Sequence, residues 1–224
     1  MTVANPSDVF HLRGGEGWLI LAGSIPELGG RTAGLMDRLL AHLDLSRPIA
    51  AVVGIDAEPA EVQDFLETLE EWLGTEAGVL EADTDLEVPG WEDSGLLMLI
   101  GDDREAWMEA LAGSAGDRLD QAFTRGAIIL AVGGASGLFG MQWISAVRPD
   151  ALVPGLDWLP SVMVLTDPGE AHGSVVRSWL QGGERRAAIL LDPGSVLALG
   201  PGGAVEAWSD DAPEVLLGTG WAAA

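Results

Sequence analysis

The chain has 224 residues, 48% of them hydrophobic, enough for a real core in one α/β domain spanning residues 1–224. It has no cysteine and its 11 basic residues are all arginine, which excludes disulfides, thiolate chemistry and lysine Schiff bases. Against 35 acidic residues this leaves a net charge of −24, a balance that repels nucleic acid and anionic lipid.

Short apolar runs bounded by glycine or proline read as buried strands. The first is Trp18–Ala22, closed by Gly23, and the second is Ile49–Val53. Between them Leu35, Met36, Leu39, Leu40 and Leu43 fall at helical spacing. Val62, Phe65, Leu66, Leu69, Trp72 and Leu73 predict an amphipathic helix with an acidic outer face. Residues 78–81 and 95–100 read as further strands, and Asp102 with Glu105 as the capping box of a helix around residues 107–111.

The most informative stretch is Arg125-Gly126-Ala127-Ile128-Ile129-Leu130-Ala131-Val132-Gly133-Gly134-Ala135-Ser136-Gly137. It reads as a buried strand entering a tight glycine-lined turn, with a helix over residues 138–147 expected to follow. Strand, sharp turn and helix is a way hydrolases display a nucleophile, with amides at the turn to receive an oxyanion. Ser136 is the candidate nucleophile, though a serine opening a helix more commonly caps it.

Beyond Pro149, residues 161–166, 186–191, 196–199 and 204–208 are short apolar runs, interrupted by one helix over about residues 169–181. They are expected to supply a remaining central strand and a peripheral hairpin on the same sheet. Alternating strands and helices predict a mostly parallel sheet with helices on both faces. No apolar stretch reaches the roughly 18 residues of a membrane span, and residues 1–8 lack a signal-peptide pattern, so a cytoplasmic protein is expected.

Four ordered landmarks resemble the cyanophycinase and dipeptidase E family of serine peptidases. Residues 133–138 (Gly-Gly-Ala-Ser-Gly-Leu) are similar to the family elbow Gly-Thr-Ser-Ala-Gly-Ala. Residues 97–103 resemble its strand ending in Gly-Gly-Asp-Gln, and residues 155–167 its Gly-Leu-Gly-Leu-Leu-Pro segment. Residues 188–199 and the Gly-Pro-Gly-Gly turn after them resemble its last strand and hairpin. The resemblance implies a three-layer, flavodoxin-like fold of the class I glutamine amidotransferase type, with a C-terminal β-hairpin. It also implies a pocket bordered by Gly101, Asp102, Gly134 and Gly137.

In the gapless register Ala135 holds the family's serine position and Asp167 its histidine position. Asp167-Pro168-Gly169-Glu170 is better explained as a helix start, an N-cap acid followed by proline at the first helical position. His172 is the one histidine near enough to serve Ser136 as a base, while His11 and His42 read as a terminus and a helix surface. Three scattered histidines have no metal-ligand spacing, and no cofactor is expected.

Three readings follow from this sequence. The first is a catalytically degenerate relative that binds a small molecule, such as a peptide, or another protein. The second is an atypical serine hydrolase using Ser136 and His172. The third is a structural subunit that forms a homodimer through a Trp-rich edge; Trp143 and Trp158 are alternatively core residues or the lining of a ligand surface.

Overall fold

The computed structural model describes residues 9–28, 33–171, 173–183 and 185–221. Its centre is a seven-stranded sheet in the order β11-β10-β1-β5-β4-β2-β3. The strands are β1 (Trp18–Ala22), β2 (Ile49–Val53), β3 (Ala77–Glu81), β4 (Leu96–Ile100), β5 (Ile128–Val132), β10 (Val196–Gly200) and β11 (Ala204–Ala207). Strands β1 to β5 run parallel, while β10 and β11 form an antiparallel hairpin beside β1. This is the mostly parallel sheet that the alternation of elements predicts, and it carries the C-terminal hairpin that the resemblance implies.

The central strands are apolar on both faces because both faces are covered. Leu19, Leu21, Leu97, Leu99, Ile129 and Ala131 enter one core. Their neighbours Ile20, Ala22, Met98, Ile100, Ile128, Leu130 and Val132 enter the other, under helices α1 (Ala33–His42) and α2 (Pro59–Leu73). Helix α2 starts on Pro59, buries Val62, Phe65, Leu66 and Leu69, and stops at Gly74. There the left-handed backbone (φ 69°) lets the Gly74 N–H close on the Glu70 carbonyl.

The first core is covered by α3 (Arg104–Ala110) and α4 (Ser114–Thr124). Helix α4 is absent from the sequence reading, although Ala115, Leu119, Ala122 and Phe123 form its buried stripe at helical spacing. The cap of α3 also differs from expectation. The side chain of Asp103, not Asp102, accepts the Ala106 N–H.

Two corrections concern the C-terminal half. Residues 161–166 and 186–191 do not join the central sheet. Strands β8 (Val162–Leu165) and β9 (Ala187–Leu190) form a separate three-stranded sheet with β12 (Glu214–Leu217). Val162, Val164, Ala187 and Ile189 face the main core, while Met163, Leu165, Ala188 and Leu190 pack under α7 (Ser174–Gln181). The helix expected over residues 169–181 is two segments, α6 (Pro168–Ala171) and α7.

The helix expected over residues 138–147 does not form. A single turn, α5 (Gly134–Gly137), gives way to β6 (Gln142–Ile144), which pairs with β7 (Leu152–Pro154). Long-range pairing wins over local spacing here. The Met141 N–H binds the Val162 carbonyl at 2.7 Å, the Leu156 N–H the Leu138 carbonyl at 2.7 Å, and the Gly155 N–H the Met141 carbonyl at 3.0 Å. A Cβ on Gly140 would stand 2.9 Å from the Val162 carbonyl, so glycine is what admits this close backbone approach. No helix among the described residues is long and apolar enough to cross a membrane.

Candidate functional site

Four of the five parallel strands end on glycine at the same edge of the sheet: Gly23 after β1, Gly54 after β2, Gly101 after β4 and Gly133 after β5. Ligands of open α/β sheets bind at this edge, outside the carboxyl ends of the strands. A cavity of about 610 Å³ opens there, lined by Asp56, Asp102, Asp103, Arg104, Gly134, Glu170 and neighbouring residues.

The positive-φ position of the turn after β5 belongs to Gly133. It has φ 65° and ψ −138°, and it stands between the last strand residue and the first residue of α5. In a strand–turn–helix elbow this is the residue whose side chain would project over the sheet edge. Ala135 and Ser136, the positions singled out by sequence, lie inside α5 and are fully buried.

Ser136 turns away from the cavity. Its one hydroxyl proton is shared between the carbonyls of Ala131 at 2.8 Å and Ala22 at 2.9 Å, and its oxygen accepts the Ala22 N–H at 3.2 Å. This ties the end of β1 to the end of β5. His172 lies outside the described residues.

The space above Gly133 is taken by a carboxylate. Asp102 Oδ1 accepts the Gly134 N–H at 2.8 Å, and a Cβ on Gly133 would collide with that same oxygen. The next amide, on Ala135, donates to the Gly101 carbonyl at 2.9 Å. Both amides at the head of the turn therefore already hold protein oxygens. Gly101 is itself in a backbone region that favours glycine, with φ 154°.

Asp56 is a site residue that the sequence reading missed. Its Oδ2 accepts the N–H groups of Asp102 at 2.6 Å and Asp103 at 2.8 Å. The loop after β2 thus holds the loop after β4, which in turn holds the elbow after β5. The Gly54-Ile55-Asp56 run after an apolar strand parallels Gly101-Asp102-Asp103, the signal that could have found it.

Arg104, also missed, is the buried cation of the site, 8% exposed. Its guanidinium donates to both carboxylate oxygens of Glu170, at 3.0 and 3.3 Å, to the Thr166 hydroxyl at 3.0 Å and to the Ile144 carbonyl at 3.4 Å. Gly137 makes room for it, since a Cβ there would stand 2.9 Å from Arg104 Nε. Asp167 takes the helix-start role expected of it, its Oδ1 accepting the Gly169 N–H at 2.7 Å.

Trp143 and Trp158 are both 1% exposed and belong to the interior. His42 stacks on Trp18 at 4.3 Å between ring centroids, and His11 is exposed. Among the described residues no group of three or more histidine or acidic side chains is placed to hold a metal ion.

No family model matches the chain. No curated protein matches it either. Solved structures do. A peptidase from an acI-B1 Actinobacterium aligns with a TM-score of 0.62 at 14% identity, covering 91% of this chain and 95% of the other. A candidate peptidase E protein from Listeria monocytogenes EGD-e aligns with a TM-score of 0.53 at 10% identity, covering 87% of this chain and 99% of the other. The chain is thus built on a peptidase E-like, flavodoxin-like fold.

Proposed function

We propose that this chain is a non-hydrolytic form of the peptidase E-like fold, a binding protein whose small-molecule ligand sits in the cavity over Asp56, Asp102 and Asp103. The observation that carries the reading is the pairing of Gly133 with Asp102. The elbow residue has no side chain, and a neighbouring carboxylate fills the place where one would be. Covalent catalysis needs an activated nucleophile within reach of a base. The buried hydroxyl of Ser136, engaged with the backbone of Ala22 and Ala131, supports a structural role for that residue instead.

The chemistry of the cavity favours a ligand that is cationic or rich in hydrogen-bond donors. Its one cation, Arg104, is committed to Glu170 and Thr166, while the lining carboxylates of Asp56, Asp102 and Asp103 keep lone pairs beyond the backbone N–H groups they accept. Peptide hydrolysis at Ser136 is the competing reading. Intact-mass analysis after fluorophosphonate treatment separates the two, with Ser136→Ala as the control. The expected result is no adduct under conditions that label an active serine hydrolase. A single adduct that disappears in Ser136→Ala overturns the proposal.

A further inference from the structure

A second recess lies on the α2 face of the sheet's free edge and shares no residue with the turn after β5. It is a groove of about 610 Å³ between helix α2 and strand β3. Val53, Val62 and Leu66 line it, together with two of the most exposed large apolar residues of the chain, Ile55 (84%) and Val79 (58%). Apolar side chains left this open beside a groove mark an interaction surface. Every ionisable residue lining it is acidic: Glu67, Glu70, Glu81 and Asp83.

Among the described residues strand β3 has no partner on its outer side, yet that edge is poorly suited to accept another strand. Along it every second N–H points outward. The Ala77 N–H is held by Glu70 Oε1 at 2.8 Å and the Glu81 N–H by Asp85 Oδ2 at 2.9 Å, while the Ala82 N–H points inward to Val53. An incoming strand would find the Val79 N–H alone between two that are already bound. Side-chain capping of this kind is how proteins blunt a sheet edge. A second copy of the chain is disfavoured for another reason, because it would set the same four carboxylates against themselves.

We infer that the α2–β3 groove binds an amphipathic helix of a partner protein, with apolar residues at i, i+3, i+4 and i+7 seated against Ile55 and Val79 and with lysine or arginine flanks facing the acidic rim. The inference is independent of what the elbow does, since none of the groove's lining residues belongs to the turn after β5.

The probe is a fluorescein-labelled leucine–lysine peptide with leucines at that spacing, titrated against the full chain by fluorescence anisotropy. A scrambled peptide of the same composition is the control for charge alone. The patterned peptide should bind at least about tenfold more tightly than the scrambled one, and Ile55→Glu or Val79→Glu should weaken it by about tenfold or more, the loss typical of a central contact. Both residues face solvent, so the variants keep the fold, and circular dichroism checks this. Leu217→Glu, exposed on β12, should leave binding unchanged.

Four results overturn the inference. They are absence of binding, equal affinity for the scrambled peptide, equal affinity of the Ile55→Glu and Val79→Glu variants, and a dimer in light scattering that Val79→Glu dissociates.

Discussion

The carboxylate of Asp102 occupies the space that a side chain on Gly133 would need, and it holds the Gly134 N–H at 2.8 Å while doing so. Glycine at the turn and aspartate in the neighbouring loop are therefore one arrangement. Changing either residue disturbs the other.

Gly133→Ser should destabilise the fold by about 1–3 kcal/mol, from a positive φ on a residue with a Cβ and from contact with Asp102. Asp102→Ala in the same chain should recover part of that loss, with a coupling energy of about 0.5–3 kcal/mol between the sites. Urea denaturation of the two single variants and the double variant measures it. Additive losses would show that the two residues are not spatially exclusive.

Ser136→Ala should cost about 1–3 kcal/mol, because it leaves the Ala22 N–H without its side-chain acceptor inside the protein. Ligand affinity at the cavity should not change. Thermal melts read the first effect and calorimetric titration the second. A variant as stable as the parent would remove the structural role given to this hydroxyl.

Arg104 and Glu170 form a pair with only 10% and 20% of their side chains exposed. Arg104→Met alone should cost about 3–5 kcal/mol by stranding a carboxylate, whereas Arg104→Met with Glu170→Met should cost clearly less. Chemical denaturation of the variants tests the difference. Equal losses in the single and double variants would mean that the ion pair adds nothing beyond packing.

The pH response of Asp44 is set by its turn. The Ser46 hydroxyl, first, and then the Ser46 N–H hold its carboxyl below the ordinary aspartate value. A carboxyl whose folded value is depressed stabilises the fold above its unfolded pKa, and the contribution is lost as pH falls through the folded value. An NMR titration should show the low Asp44 value, and Ser46→Ala should raise it. A titration curve unmoved by that substitution would contradict this account.

Strands β1, β2, β4 and β5 were legible in the sequence because each is a short apolar run closed by a glycine, and a strand covered on both faces needs little else. The register of the elbow was harder to read. Matching glycines placed the turn at Ala135 or Ser136, whereas the sheet decides it by where pairing stops, and pairing stops at Val132. Residues 138–147 misled for a related reason. Leu138, Phe139, Trp143 and Ile144 are compatible with a helix locally, and only the distant partners Leu152–Pro154 and Val162 make the segment extended. Asp56 stayed hidden because one carboxylate among 35 acidic residues carries little signal until its two backbone partners are known.

Glycine bears the φ of 65° at position 133 at little cost, so this turn has no need of chemistry to justify it. The elbow is held from below by the Ser136 hydroxyl and from above by Asp102. Hydrogen bonds to the main chain and one glycine torsion thus set the course of this turn, and none of them depends on a reactive side chain at position 133. A main chain fixed in this way carries the shape of the fold, and chemistry has to be argued separately, from the side chains around it.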